Sequence, residues 1–428
     1  MLCYIAYPTS LTLQSANALQ TFTTLRELRA RRPDTLAIIP RWGNEPSRFA
    51  ELGALHLPRP AIGKLSRLHK STLLYYLEHT AFALMTAAVV ASRRHEVQAV
   101  YVRQVICAAW WAGVLGPRLG IPVIYEAHDL EARNPSRAKE PWAEGLLHLI
   151  DRTALTRASA VVSLTDDFRR LLAELGWRDP AEVFVVPDAY DEQLFAPQER
   201  AACRAALGLP AEAPIIAYAG MTFAHRWLDG LLAAAARLRE RHPGLTLLLV
   251  GGRDAERAAL AQQAAELGFA VEHAGPTDNR QPTTDDQRAG YRLSAIGYRL
   301  SAIPTIHLIP PRPQREIVRY LGAADALAIP DTVTDVTASP LKLFEYLALG
   351  QPLVLPALPA LHEIVPPALC HPFARRDLDG LTAALAAALS AAPDHAGAQA
   401  RRALAAQHTY GRRAERILAV VARVAAQR

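Results

Sequence analysis

The segment SPLKLFEYLALG, from Ser339 to Gly350, combines residue types that could bind a phosphate group. Ser339 is a favourable N-cap, Pro340 suits the first helical position, and Gly350 suits the residue just past the helix end. The free N–H groups and the dipole at such a helix start attract anions. Lys342 in the first turn is unfavourable unless an anion is present, so the pattern predicts a phosphate site.

Glu345 lies one turn further along the same predicted helix. A carboxylate there could accept hydrogen bonds from both hydroxyls of a ribose whose phosphate sits at the helix start, much as an acidic residue does in dinucleotide-binding folds. The alternative is that Lys342 and Glu345 form only a surface ion pair, since they are three residues apart. The residues alone leave both interpretations open.

A second group of polar residues follows two apolar runs in the first half of the chain. Arg103 follows the run AVYV, and Glu126, His128 and Asp129 stand at the end of the run that begins at Pro122. Ligands bind at the carboxyl ends of strands in open parallel sheets. Glu126 could be a buried orienting partner, and Asp129 could orient the His128 ring or cap the following turn. The alternatives are a structural histidine and a surface ion pair for Arg103.

The elements that must position these residues are strands that alternate with helices. Runs that are apolar at consecutive positions are typical of parallel strands covered on both faces, so the chain is predicted to be α/β with doubly wound sheets. Its 428 residues suit two domains. The predicted strands are Leu2–Tyr7, Leu36–Pro40, Ala99–Val102, Pro122–Tyr125, Ala160–Ser163, Val183–Val186, Pro214–Tyr218, Leu245–Val250, Ile306–Ile309, Ala326–Ile329 and Leu353–Pro356.

The stretch SPLKLFEYLALGQPLV (Ser339–Val354) closely resembles the donor-site motif of GT4-type glycosyltransferases, the "glycosyl transferases group 1". Further segments resemble the same family in the expected order: Val123–Ala132, Ser159–Phe168, Val183–Phe195, Ala217–Leu232, Leu247–Gly252 and Tyr320–Pro330. The resemblance implies a GT-B fold, with two Rossmann-like domains facing across a cleft and a C-terminal helix packing back on the first domain. It implies an acceptor-side domain at 1–200, a nucleotide-sugar domain at 201–405 and the C-terminal helix at 406–428.

The resemblance also implies roles for individual residues. The catalytic set is His128, Arg226 and Lys342; the donor-nucleotide set is Gly220, Arg226, Pro340, Leu341, Lys342 and Glu345; the candidate acceptor or sugar contacts are Arg103, Glu126, Asp129 and Thr337. The family needs no bound metal and no cofactor beyond its nucleotide-sugar co-substrate, here expected to be a UDP- or GDP-sugar. Three departures stand out: Thr337 replaces a sugar-binding glutamate, Met221 replaces an arginine, and Asp188-Ala189 replaces Asn-Gly.

The function expected from the resemblance is retaining transfer of a hexosyl group to an acceptor hydroxyl, in bacterial polysaccharide or glycoconjugate biosynthesis. The acceptor would be a saccharide, a lipid-linked molecule or another hydroxyl compound. Two alternatives remain: a nucleotide-sugar epimerase, or a non-catalytic protein that binds sugar nucleotides on the same fold.

Composition limits the partners and the location. The formal charge is +6, but no Arg/Lys block of five or more residues and no nucleic-acid module appears, so no nucleic-acid partner is expected. The four cysteines are scattered without a CxxC pair, which favours reduced thiols in a cytoplasmic protein. The strand-like N-terminus predicts no signal peptide. A basic amphipathic stretch at about 64–76 could contact anionic lipid at the inner face of the membrane, with a solvated helix as the alternative.

Two further segments have expectations of their own. The sequence GYRLSAI occurs at 290–296 and again at 297–303, within an insertion at about 277–303. It is interpreted as a duplication tolerated in a surface loop, with an acceptor-binding insertion as the alternative. The apolar stretch Leu73–Ala91 contains Glu78 and His79 and is predicted to be a buried helix rather than a membrane span.

Overall fold

The structure is a computed structural model. It describes residues 1–8, 11, 13, 15–41, 47–59, 72–133, 141–273, 304–332, 336, 339–391 and 394–427. The chain separates into two compact units. The first consists of Met1–Ala189 and Tyr410–Arg428, and the second of Tyr190–Thr409. Each unit is built on a seven-stranded parallel sheet.

The sheet of the first unit has the strand order β3-β2-β1-β4-β5-β6-β7. Its strands are β1 (Leu2–Ile5), β2 (Leu36–Arg41), β3 (Leu55–Pro58), β4 (Ala99–Val102), β5 (Val123–Ala127), β6 (Ala160–Ser163) and β7 (Val183–Val185). The helices between them are α1 (Ala16–Arg31), α2 (Thr72–Ala91), α3 (Val105–Trp110), which continues through a π turn into α4 (Gly116–Leu119), α5 (Glu144–Arg157) and α6 (Asp166–Glu174).

The sheet of the second unit has the strand order β10-β11-β9-β8-β12-β13-β14. Its strands are β8 (Ile215–Ala219), β9 (Thr246–Val250), β10 (Ala270–His273), β11 (Thr305–Ile309), β12 (Ala326–Ala328), β13 (Leu353–Pro356) and β14 (His371–Phe373). Its helices are α7 (Arg200–Leu207), α8 (Leu228–Leu238), α9 (Asp254–Glu266), α10 (Gln314–Gly322), α11 (Leu341–Leu349), α12 (Pro359–His362), α13 (Leu378–Ser390) and α14 (His395–Ala405).

Both sheets are covered on two faces, as the continuous apolar strands predict. In β8, Ile215, Ala217 and Ala219 belong to one apolar core, and Ile216 and Tyr218 belong to the core on the other face. A strand buried on both faces needs apolar residues at every position. The doubly wound α/β prediction is therefore confirmed.

The last helix, α15 (Tyr410–Ala426), belongs to the first unit. Its stripe Ile417, Val420, Val421 and Val424 is buried in the same core as Leu2 and Tyr4 of β1. This confirms that the C-terminal helix packs on the first domain, which the resemblance implied.

The observed unit boundaries differ from the predicted ones. The second unit starts at Tyr190 rather than at 201, because Tyr190 and Phe195 pack into the core that also holds Ile215. The helix segment starts at Tyr410 rather than at 406, since residues up to Thr409 stay with the second unit. The insertion at 277–303 with its duplication, and residues 64–71 of the basic stretch, lie outside the described residues.

Helix α2 is only partly the buried helix that the sequence predicts. Phe82 and Ala83 are fully buried, but Leu73, Leu77 and Leu84 are 52%, 46% and 48% exposed and lie along one face. By length and composition, Leu73–Ala91 is the one described helix that could cross a membrane, and 39% of it is buried. A core helix of a soluble protein passes the same test, so this is weak evidence for a span.

Candidate functional site

The helix expected to bind phosphate is present but begins one residue later than predicted. Pro340 has φ −73° and ψ 133°, so it is the extended N-cap residue and α11 begins at Leu341. The predictions that Ser339 is the N-cap and that Pro340 is the first helical residue are therefore wrong. Gly350 ends the helix in the left-handed region at φ 86°, as expected. The first amides of the helix are those of Leu341 and Lys342, and the first four amides of any helix have no partner within it.

Packing fixes the start of α11 beside the carboxyl end of β8. Leu343, Phe344 and Leu347 are fully buried in one core. The backbone N–H of Ala219, the last residue of β8, donates a hydrogen bond of 2.8 Å to the Tyr346 hydroxyl. This contact ties the helix to the strand that leads to Gly220.

Lys342 extends across the end of β8. Its Nζ lies 3.9 Å from the centroid of the Tyr218 ring. Gly220 has φ 140°, and a Cβ there would lie 2.8 Å from Nζ. Glycine is therefore needed at position 220 both for the backbone conformation and for the space that the ammonium group occupies.

The ionisation of Lys342 is disfavoured in this setting. Burial and the nearby Arg226 guanidinium hold the pKa of Lys342 well below its usual value, against the opposing effect of Glu345. Within the described residues Lys342 forms no ion pair, so the surface pair with Glu345 is absent. An anion bound at this point would relieve the unfavourable charge.

Glu345 faces Gln314, the first residue of α10. Its Oε1 accepts a hydrogen bond of 2.9 Å from Gln314 Nε2. Burial raises the pKa of Glu345 to about 7, although Lys342 acts in the opposite direction. Both carboxylate oxygens can accept more than one hydrogen bond, so Glu345 keeps acceptor capacity for ligand hydroxyls.

Arg226 ends a short 3₁₀ turn, Ala224–Arg226, in the loop after β8. Its Nε and the Nε2 of His225 are both shielded from solvent and have no hydrogen-bond partner among the described residues. Buried polar groups are nearly always paired in native structures. Together with Lys342, the turn therefore presents polar groups that a bound anion would satisfy.

A second arginine, which sequence reasoning missed, supports this turn. Arg376 donates through Nη2 to the carbonyl of His225 at 3.2 Å and pairs through Nε with Asp331 at 2.5 Å. Its guanidinium carbon lies 5.6 Å from the centroid of the Trp227 ring. Arg376 and Trp227, at φ 63° and 54°, are the described non-glycine residues with positive φ. Such strain costs about 1–3 kcal/mol per residue and often marks a functional site.

In the first unit, three of the predicted residues meet in one buried cluster. Glu126, in β5, is fully buried, and its Oε1 lies 2.9 Å from Arg103 Nε and 2.8 Å from His128 Nε2. The His128 side chain is 31% exposed. Glu126 is thus the buried partner of His128, and the surface interpretation of Arg103 is wrong because its side chain is 3% exposed.

Further groups complete the cluster. Arg103 also donates to the Tyr4 hydroxyl, to Thr21 and to Gln20, and Tyr101 donates to Glu126. Arg413 of α15 lies 2.8 Å from Glu126 Oε1. Burial would raise the pKa of Glu126, but the two arginines hold it well below its usual value. Glu126 is therefore a carboxylate that accepts hydrogen bonds from the groups around it.

The remaining predicted residues stand apart from these groups or outside the described chain. Asp129 accepts a hydrogen bond of 2.8 Å from the backbone N–H of Leu130. It therefore caps the following turn rather than orienting the His128 ring. Thr337 lies outside the described residues. Among the described residues, no group of three or more His, Cys, Asp or Glu side chains could hold a metal ion. That the reaction needs no metal stays a prediction.

Comparison with known proteins identifies a family domain within the first unit. Residues 19–189 match the model of the glycosyl transferase 4-like domain. The first unit therefore carries a GT4-type glycosyltransferase domain. A D-inositol 3-phosphate glycosyltransferase of a Nocardioides species is 28% identical to this chain over 270 residues, which are 60% of the chain and 52% of that relative. One from Stackebrandtia nassauensis is 34% identical over 173 residues, 38% of each protein. The chain thus spans about half or less of the curated relatives it matches.

Solved structures share the fold of this chain over nearly its full length. HepE of Anabaena in complex with UDP has a TM-score of 0.66 at 15% identity, covering 99% of this chain and 100% of HepE. Sucrose-phosphate synthase of Thermosynechococcus elongatus has a TM-score of 0.63 at 19% identity, covering 99% and 96%. The fold of the chain is accordingly the GT-B fold of these proteins.

Proposed function

We propose that this chain transfers a sugar from a nucleotide-diphosphate sugar to an acceptor hydroxyl, with retention of configuration. The observation that carries the proposal is the pair of cationic side chains, Lys342 and Arg226, at the start of α11. Lys342 and Arg226 lie close enough for Arg226 to lower the pKa of Lys342, and neither forms an ion pair among the described residues. Such cations beside open helix amides suit the diphosphate of a nucleotide sugar.

Glu345 extends this fit from the phosphates to the nucleoside. It lies three residues beyond Lys342 on the same helix and keeps acceptor capacity beside Gln314. A ribose bound there would donate both hydroxyls to the carboxylate. HepE was solved with UDP and with UDP-glucose, which supports a UDP-sugar as the first donor to test.

The mechanism that we propose is front-face displacement. The bond between the anomeric carbon and the donor phosphate oxygen breaks, and the acceptor oxygen forms a new bond from the same face. The acceptor proton passes to the departing phosphate oxygen. Arg226, Lys342 and the first amides of α11 stabilise the negative charge that develops on the leaving group. The resemblance assigns His128 to the transferred sugar, and that role remains part of the proposal.

The proposed function is tested with a panel of UDP-, GDP-, TDP- and ADP-sugars. We expect one donor to raise the melting temperature, since a ligand that binds the folded state stabilises it. We also expect that donor to release nucleotide slowly without acceptor, and transfer to keep the anomeric configuration as read by NMR. Conversion of the donor to a sugar isomer would indicate an epimerase, and tight binding without turnover would indicate a non-catalytic binding protein.

Donor affinity is predicted to depend on pH through Glu345 and Lys342. Glu345 loses its proton as the pH rises through about 7, so affinity should increase there as the carboxylate accepts hydrogen bonds from ribose. Burial and Arg226 lower the pKa of Lys342, so affinity should fall as the pH rises through that lowered pKa. Calorimetric titration with UDP-glucose measures this. Glu345→Gln should remove the rise, and Lys342→Arg should move the fall upwards, because arginine stays charged. A flat profile in the unaltered protein would contradict both assignments.

We also propose that the first unit contacts an anionic membrane surface through the start of α2, in a cytoplasmic protein of bacterial glycoconjugate biosynthesis. Leu73, Leu77 and Leu84 are each about half exposed along one face. The sequence just before them carries Lys64, Arg67 and Lys70. An apolar face beside basic residues suits an interface of anionic lipid.

This membrane contact predicts sedimentation with anionic vesicles at low salt. Binding should weaken in a Leu73→Ser/Leu77→Ser variant and with neutral vesicles, because both the apolar area and the charge attraction contribute. Leu146→Ser, which alters an exposed leucine on α5, serves as the control. Equal sedimentation of all variants with anionic vesicles would contradict the proposal, and so would the absence of any sedimentation at low salt.

A further inference from the structure

Arg413 of α15 enters the cluster that holds His128, although it comes from the end of the chain. Its side chain is 1% exposed. Nη1 donates to the carbonyls of Val186 at 2.7 Å and Pro187 at 2.6 Å, in the segment that follows β7. Nη2 lies 2.8 Å from Glu126 Oε1. The carbonyl contacts fix the guanidinium, so the position of α15 determines where its charge meets Glu126.

The oxygen that Arg413 contacts also contacts the imidazole, whose Nε2 lies 3.2 Å from Arg103 Nη2 as well. Glu126 Oε1 lies 2.8 Å from His128 Nε2, 2.9 Å from Arg103 Nε and 2.8 Å from Arg413 Nη2. Arg103 Nε donates a hydrogen bond to this oxygen, whereas His128 Nε2 and Arg413 Nη2 approach it at ion-pair distance, so three nitrogens share one carboxylate oxygen. The strength of the contact with His128 therefore depends on how firmly the two arginines hold the same oxygen.

The charges of the cluster point to the same dependence. The positive charges of Arg103 and Arg413 are balanced by the carboxylates of Glu126 and Asp188. Asp188 is 7% exposed. Burial raises the pKa of Asp188 to about 6, and Arg413 is the strongest influence that lowers it. Asp188 thus places a second carboxylate where α15 supplies a guanidinium. Removing Arg413 would leave less positive charge beside the two carboxylates. The Glu126 side chain could then rearrange.

We propose that Arg413 is a positioning residue that orients the imidazole of His128 by holding Glu126 from the C-terminal helix. The part of the proposal that concerns the ring is independent of the proposed function. Its consequence for turnover rests on that function. A ring displaced by a fraction of an ångström would slow transfer without changing donor binding, because the donor contacts lie on the second unit.

The test compares Arg413→Lys and Arg413→Gln with Arg412→Lys in the full-length chain. Lysine keeps the charge, and glutamine keeps an N–H donor for the carbonyls of Val186 and Pro187. Arg412 lies on the same helix with its side chain 65% exposed, so it is a matched control. The first measurement is the ¹⁵N shift of the two imidazole nitrogens of His128, assigned by the loss of its signal in His128→Ala. We expect both Arg413 variants to move these shifts and Arg412→Lys to leave them unchanged.

The second measurement is turnover of the donor found in the nucleotide-sugar panel. We expect the Arg413 variants to lower kcat about 10- to 100-fold with little change in the donor KM. Combined with His128→Ala, they should lower kcat little further, because both changes act on one group. Folded variants with unaltered His128 shifts, or effects that add to those of His128→Ala, would overturn the proposal, as would unfolding of both variants. If the unaltered protein turns over no donor, the proposed function fails while the ring shifts still decide the role of Arg413.

Discussion

Replacing Lys342 or Arg226 by alanine is expected to lower kcat for sugar transfer about 100-fold each, and removing both should lower it further. The loss follows from the developing charge on the diphosphate, which each cation stabilises from a fixed position; removal of one such donor typically costs about 100- to 1000-fold. Initial rates of nucleotide release with the preferred donor provide the measurement. The free energy of unfolding should not fall in Lys342→Ala, since burial and Arg226 already disfavour the ammonium charge in the unliganded protein.

A matched control separates this effect from a general loss of positive charge. Arg237→Ala removes an exposed arginine of the same unit that pairs with Asp379 at the surface. Its kcat should equal that of the unaltered protein. Near-normal transfer by Lys342→Ala and Arg226→Ala would show that the diphosphate binds elsewhere, and the assignment of the α11 start would then fail.

Replacing Glu126 by alanine should strongly destabilise the first unit. The substitution leaves Arg103 and Arg413 buried without their shared carboxylate, and breaking one partner of a buried ion pair typically costs about 3–5 kcal/mol. The pKa of Glu126 lies well below its usual value, so this contribution is present at neutral pH and is lost only as the pH falls through that lowered pKa. Urea denaturation at pH 7 gives the free energy of unfolding.

Glu51→Ala is the control for that experiment. Glu51 pairs with Arg48 at the surface with 61% of its side chain exposed, and such pairs contribute little. Glu126→Gln should fall between the two variants, because an amide still accepts one hydrogen bond but carries no charge. Equal unfolding curves for Glu126→Ala and Glu51→Ala would contradict the buried-charge account of the cluster.

The interior of the fold could be predicted from the sequence, but three sheet edges could not. Interior strands such as β8 are apolar at every position, because both faces are covered, and their runs were identified. The strands β3, β10 and β14 were missed. Each lies at the edge of a sheet and has few fully buried residues, as in Ala270–His273. An edge strand needs too few apolar positions to stand out from loops.

In the candidate site, features set by neighbouring residues could be predicted from the sequence, whereas contacts between distant residues could not. Lys342, Glu345 and the C-cap Gly350 could be found because capping and spacing are local properties of one helix. The start of that helix was misplaced because Ser-Pro permits a cap at either residue, and the observed ψ of Pro340 decides it. Arg376 and Arg413 were missed because their partners, Asp331 and Glu126, are remote in sequence. Local sequence patterns do not predict pairs between residues that are so far apart in the chain.

The return of the chain to the first unit has a consequence for synthesis on the ribosome. Arg413 is made long after the β5 carboxylate Glu126, because the whole second unit lies between them in the sequence. The backbone N–H of Tyr190 donates to the carbonyl of His408 at 3.1 Å, so the two ends of the second unit lie side by side. The second unit can therefore fold as a closed insertion as soon as its own residues emerge. The first unit must wait, with its core open along the groove that α15 will fill, until the whole second unit and α15 have been made.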